Sequence, residues 1–298
     1  MPDLLATDPV REDVLRVPTL FVNAFLVGDD EGWVLVDTGL PGFAGWVQRA
    51  ARARFGDRPP EAIVLTHGHF DHAGNAAALA DAWDVPLYAH PAELPFLTGR
   101  SDYPPQDPTM GGAIAFLARF FPTAGYDFGA RVQALPGDGS VPGLDGWRWL
   151  HTPGHAPGHV SLFREADRTL IAGDAFATMD LDSWAAQVTH APEVSRSPVP
   201  FVPDWDAAAE SVRQLAALRP AVVTAGHGPV LRDGVAERLA AFAARPHRPE
   251  HGRYVPTPAR FDADAGVVSV PPPVADPVPL RVAALVAGAV VARRVLSR

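Results

Sequence analysis

Short apolar runs alternate with polar loops and amphipathic stretches for most of the chain. Leu20 to Val27 is apolar and β-rich, Gly28 to Gly32 is a turn, and Trp33 to Val36 is a second strand, which predicts a hairpin. Phe43 to Phe55 carries a helical pattern, stopped by Gly56 and the Pro59-Pro60 pair. Ala62 to Leu65 predicts a short buried strand, Asn75 to Trp83 a helix, and Pro86 to Ala89 another short strand. The pattern blurs over 91–130, where Pro-rich polar sequence precedes a helical Met110 to Phe121, and this stretch is expected to be an insertion over a site. Strand patterns return at Arg131 to Leu135, Trp147 to His151, His159 to Phe163 and Thr169 to Ala172. A long irregular segment, 176–202, is a second expected insertion. Asp206 to Leu218 and Asp233 to Ala244 predict helices on either side of an apolar strand, Ala221 to Thr224.

This alternation predicts one α/β domain over 1–250. A Pro-rich tail follows over 251–298, ending in an apolar helix at Leu280 to Leu296 with arginines at its ends. Such a helix is expected to pack on its own domain or in a homodimer; shallow peripheral membrane contact is the alternative. Its longest apolar stretch, Val282 to Ala292, would be about 16 Å long as a helix, too short to span a bilayer. The N-terminus lacks a basic region followed by a long apolar core, and a cytoplasmic location is expected.

Composition narrows the chemistry. The 298 residues are 47% hydrophobic and 20% charged, a globular balance. The net charge of -9, with no basic run, disfavours nucleic acid as a partner, so a small-molecule substrate is expected. Lysine is absent, which removes Schiff-base chemistry and a phosphate-loop lysine. Cysteine is absent too, so a metal has to sit on histidine and carboxylate.

The sharpest feature lies directly after the Ala62–Leu65 strand: Thr66-His67-Gly68-His69-Phe70-Asp71-His72. One histidine there would read as a solvated or helix-capping residue. Three imidazoles and a carboxylate in six residues suit zinc, and also iron or manganese.

This run resembles the His-x-His-x-Asp-His motif of the metallo-β-lactamase superfamily. Further elements of that resemblance follow in order: Asp37-Thr38-Gly39, Thr152-Pro153-Gly154-His155, Gly173-Asp174 and Gly226-His227-Gly228. The resemblance implies a four-layer αβ/βα sandwich, two mixed sheets face to face with helices outside. It implies His67, His69 and His155 as ligands of a first metal, Asp71, His72 and His227 of a second, and Asp174 as the bridge. Asp37 would orient a ligand histidine, and His159 would contact a ligand or the substrate. Two divalent ions are implied, zinc before iron or manganese, with a hydroxide between them as nucleophile and Asp71 as proton carrier.

The paired Thr-Pro-Gly-His-x-Pro-Gly-His run is similar to the glyoxalase II-like subgroup. No counterpart of that enzyme's basic glutathione-binding domain is present, and apolar loops favour a lactonase or broad esterase. The expectation is a binuclear hydrolase of an ester, thioester or lactone bond. The alternative is a mononuclear iron oxidoreductase of the persulfide dioxygenase type. Phe70, Phe176, Tyr103, Tyr126 and Trp184 are the expected substrate contacts, with Arg119 and Arg196 able to receive a substrate carboxylate.

Overall fold

The strands sort their side chains between an inner and an outer face. In the strand Val22–Gly28, Phe25 and Val27 point one way and Ala24 and Leu26 the other, as the two-residue period requires. The computed structural model describes residues 5–245 and 248–276. The first sheet has seven strands in sequence order: β1 (Asp8–Arg11), β2 (Val14–Thr19), β3 (Val22–Gly28), β4 (Trp33–Val36), β5 (Ala62–Val64), β6 (Leu87–Ala89) and β7 (Val132–Ala134). β1 to β4 run antiparallel, and β4 to β7 run parallel. The second sheet holds β8 (Ser140–Val141), β9 (Leu144–His151), β10 (Val160–Arg164), β11 (Thr169–Ile171) and β12 (Val222–Thr224), with only β11–β12 parallel.

Between the sheets Phe25, Val27, Val34, Val36 and Val64 meet Trp147, Val160, Leu162, Ile171 and Val222. Outside the first sheet, Leu26, Trp33, Leu35 and Ile63 pack on α1 (Ala44–Phe55) and α3 (Ala76–Trp83). Outside the second, Phe163, Leu170 and Val223 pack on α7 (Trp205–Ala217) and α8 (Val235–Ala243). Both faces of each sheet are covered, which is the four-layer αβ/βα sandwich.

Several boundaries differ from the sequence pattern. The first hairpin is β1–β2, missed because its strands are short and polar-rich. Leu20 does not begin a strand: it sits in the β2–β3 turn at φ 68°. The motif loop turns helical early, so Asp71 and His72 lie in α2 (Phe70–Ala73). Helix α7 starts one residue sooner than expected, because the Asp204 carboxylate accepts from the amides of Asp206 and Ala207.

The two expected insertions fold against each other and against the described tail. Ile114 of α5 (Gly112–Ala118), Met179, Val199, Trp205 and Tyr254 share one apolar cluster. The tail adds a small hairpin, β13 (Arg260–Asp262) with β14 (Gly266–Ser269). The apolar segment Leu280 to Leu296 lies outside the described residues. Among the described residues no helix is long and apolar enough to cross a membrane.

Candidate metal centre

Parallel strands end at one edge of the sandwich, and the chemistry-bearing residues lie just beyond those ends. Asp37 follows β4, Thr66 to His72 follow β5, Asp174 follows β11 and His227 follows β12. Val160 N–H donates to the Thr66 carbonyl (2.9 Å), and Gly226 N–H to the Gly173 carbonyl (2.9 Å). The Asn23 side chain donates to the carbonyls of Ala225 (2.8 Å) and Gly228 (2.9 Å). These bonds tie the loops of both sheets together.

His67 Nε2, His69 Nδ1 and His155 Nε2 face one another at 2.9–3.1 Å. Burial, before the mutual repulsion of neighbouring imidazolium charges, keeps all three unprotonated, with His69 pushed down to about 3. Three lone pairs aimed at a common point fit a shared cation. A second group, Asp71, His72 and His227, can also hold one ion, as can His67, His72 and Asp174.

The Asp174 carboxylate stands between them. Its Oδ2 lies 3.4 Å from His155 Nε2 and 3.2 Å from His227 Nε2, and its Oδ1 lies 3.5 Å from His72 Nε2. His72 Nε2 and Asp174 Oδ1 are buried with no hydrogen-bond partner. Buried polar atoms are rarely left this way. Five imidazoles, two carboxylates and these orphaned atoms fit a pair of divalent ions.

The far side of four of the five rings is fixed. The Thr66 hydroxyl donates to Asp37 Oδ2 (2.7 Å) and so accepts from His67 Nδ1 (3.1 Å). His72 Nδ1 donates to Asp37 Oδ2 (2.8 Å), and His227 Nδ1 to the Phe21 carbonyl (2.8 Å). His155 Nδ1 meets the Ser197 hydroxyl at 3.1 Å. Each bond leaves the other ring nitrogen pointing inward. Asp37 is wholly buried and also accepts from Thr66 N–H (2.8 Å).

Charge is balanced within the second group. Burial alone would lower His72, but Asp174, Asp37 and Asp71 together hold it well above its ordinary value. Burial would raise Asp174, but His227 and His72 hold it well below the usual carboxylate range. Gly226 is required here, because a Cβ would sit 2.1 Å from Asp174 Oδ1 and 2.6 Å from the His72 ring.

His159 does not join a ligand group. Its Nε2 accepts from Asp174 N–H (2.7 Å) while its Nδ1 faces the Thr152 carbonyl (3.0 Å), so it fixes the backbone of Asp174. Of the expected substrate contacts, Phe70 lines the cavity beside the candidate ligands. Phe176 is instead fully buried against α7 and α8, because its side chain completes the outer layer. Trp184 is 57% exposed and touches Phe116, away from the cavity. Tyr103 lies behind His69, ring against ring at 4.4 Å, and Tyr126 reaches only the Phe70 carbonyl at 3.5 Å.

Tyr103 leads to a residue that the motif pattern did not mark. Glu93 is fully buried between the two ligand loops. It accepts from Gly68 N–H (3.0 Å), Gly158 N–H (2.8 Å) and the Tyr103 hydroxyl. One carboxylate therefore clamps the His67–His69 turn to the His155–His159 turn. Most of the cavity's apolar wall was missed as well: Phe21, Ile114 and Phe121 join Phe201 on it from distant parts of the chain.

Fold and ligand array define the class: a two-sheet sandwich with a polyhistidine–carboxylate edge suited to divalent metals. The sequence profile described as the metallo-beta-lactamase superfamily matches residues 17–227. The chain belongs to that superfamily. It is 45% identical over 205 residues to the Bacillus subtilis protein named "Probable metallo-hydrolase YflN", covering 68% of this chain and 78% of the relative. It is 26% identical over 166 residues to the Haemophilus influenzae hydroxyacylglutathione hydrolase GloC, covering 54% of this chain and 70% of that one. Among solved structures, TTHA1623 in a di-iron-bound form aligns with a TM-score of 0.51 and 30% identity, over 75% of this chain and 96% of the other.

Proposed function

We propose that the chain is a binuclear metal-dependent hydrolase of an ester, thioester or lactone bond in a small molecule. The observation that carries this reading is the Asp174 carboxylate, facing His155 at 3.4 Å and His227 at 3.2 Å while its other oxygen stays unpartnered. His67, His69 and His155 would hold one ion, Asp71, His72 and His227 the other, with Asp174 between them. Zinc suits this nitrogen–oxygen set, and iron or manganese would fit it too. Such ions supply Lewis acidity and a water acidic enough to attack near neutral pH.

The chain's own residues do the rest. Asp37, Thr66, Ser197 and the Phe21 carbonyl hold four of the five histidine rings in one orientation, so little reorganisation remains at the moment of reaction. Asp71, raised by burial although His72 and His227 oppose the shift, is placed to hold a proton and return it to the leaving group. In balance, water oxygen bonds to the acyl carbon and the carbon–oxygen or carbon–sulfur bond breaks. The water's proton ends on the departing alcohol or thiol.

The hydrolase class also follows the Haemophilus relative's printed activity. The test is Asp174→Ala, compared with wild type for ions bound per chain and for ester and lactone hydrolysis. Loss of an ion together with activity supports the reading. Two ions and full activity in the variant overturn it.

A further inference from the structure

The cavity over the candidate centre is caged by four phenylalanines. Phe121 lies 6.0 Å from Phe21, 5.1 Å from Phe70 and 6.3 Å from Phe201, centroid to centroid. The cage rests on the ligands themselves. Phe201 is 5.7 Å from His69 and 6.4 Å from His155, and Phe21 stacks on His227 at 6.2 Å. One wall thus covers both ligand groups. A group attached to a carbon reacting between them enters the rings at its next atoms.

Three features separate this cage from ordinary core. All four rings are only partly buried, whereas Phe25, Phe96, Phe163 and Phe176 are fully buried. A cavity of about 20 Å³, continuous with open solvent, lies among them. The turn presenting Phe21 holds Leu20 at φ 68°, a conformation that a bulky side chain disfavours and that hydrophobic packing alone does not explain, since Leu20 is 41% exposed.

Among the described residues, no arginine lines the cage. The ionisable residues lining it are those of the candidate centre, His69, Asp71, His155, Asp174 and His227. Arg119 is bound to Asp276 at 2.8 and 2.9 Å and to three backbone carbonyls. Arg196 is bound to Asp182 at 2.7 Å. Neither lines the cage, and the chain contains no lysine.

We propose that the substrate carries an uncharged, apolar acyl or alkyl group, which lodges between Phe21, Phe70, Phe121 and Phe201. The proposal rests on the hydrolase reading above and narrows it to neutral apolar substrates. Acyl groups ending in a carboxylate are disfavoured, because outside the candidate centre the residues lining the cage are Phe, Ile and Pro and none can pair the charge. Each methylene that enters the cage raises kcat/KM by about fourfold.

The test compares p-nitrophenyl acetate, butyrate and hexanoate with mono-p-nitrophenyl adipate, on protein loaded with zinc. In parallel, calorimetry measures binding of hexanamide and of its carboxylate-ended counterpart, adipamic acid. The expected result is a rise of about fourfold per methylene from acetate to hexanoate. Adipate should fall at least about a hundredfold below hexanoate. Hexanamide should bind and adipamic acid should not. Phe121→Leu and Phe201→Leu should each flatten the chain-length series. A flat series in wild type, or adipate turned over as well as hexanoate, overturns the proposal. If no ester is cleaved but hexanamide still binds in preference to adipamic acid, the hydrolase reading falls and the cage's selectivity stands.

Discussion

Glu93 offers a sharp perturbation, because its removal should act on two loops at once. Glu93→Ala leaves Gly158 N–H and the Tyr103 hydroxyl without their acceptor, while Gly68 N–H keeps the Tyr103 oxygen at 2.9 Å. An orphaned buried donor costs about 1–3 kcal/mol, so the two together cost about 2–6 kcal/mol. In a chain of this size that lowers Tm by about 5–20 °C. Because Gly68 lies between His67 and His69, ion affinity should fall as well, by about 10–100-fold, the range seen when groups orienting metal ligands are lost. Thermal melts of metal-free protein and zinc titration against a competing chelator read the two effects separately. A Tm within about 2 °C of wild type, with unchanged zinc affinity, would refute the clamp.

The same residue carries a pH signature. Burial pushes the Glu93 carboxyl up to about 7, only partly offset by its bonds from Tyr103, Gly158 and Gly68. The folded chain therefore holds this proton more tightly than the unfolded chain does. The resulting stabilisation is complete below about pH 4.5 and is lost as pH rises through about 7, about 3 kcal/mol in all. Glu93→Gln cannot titrate, so its stability curve should lack that fall. An identical fall in wild type and Glu93→Gln would assign it to another group.

The remaining predictions concern the candidate centre. Asp37→Ala removes the acceptor that orients His72 and should weaken ion binding about 10–100-fold, read by chelator competition; unchanged affinity counts against the role. Gly226→Ala puts a Cβ 2.1 Å from Asp174 Oδ1 and should abolish binding of at least one ion, measured as metal per chain. Ser197→Ala frees the His155 ring to rotate and should lower activity while leaving Tm within a few degrees, seen in paired kinetics and melts.

How much of this was legible in the sequence varied with sequence distance. The Thr66 to His72 run concentrates its chemistry in seven adjacent residues, so its donors converge whatever the exact turn. Gly173-Asp174 and Gly226-His227 were marked by the apolar strands before them. The strand–helix alternation marked an α/β domain, while the four-layer sandwich was implied by the motif resemblance; alternate residues such as Leu162 and Phe163 do face different layers.

Glu93 gave no comparable signal. It stands in an ordinary Pro-Ala-Glu run, and its partners at 68, 103 and 158 meet it only through tertiary folding. Phe21 and Phe121 looked like any other core aromatics, while Phe176 and Trp184, equally apolar, went to the core and the surface. An apolar residue's pattern reports that it wants burial, not which cavity it will line. The β1–β2 hairpin was hidden for another reason: its short strands interleave Asp8, Arg11 and Arg16 among the valines.

The account stands or falls on two ions sharing Asp174. The most direct measurement is elemental analysis of protein purified without added metal or chelator, for wild type and Asp174→Ala together. The account predicts about two divalent ions per wild-type chain and fewer in the variant. One iron per chain with little zinc, unchanged in Asp174→Ala, would contradict it and turn attention to oxygen consumption instead.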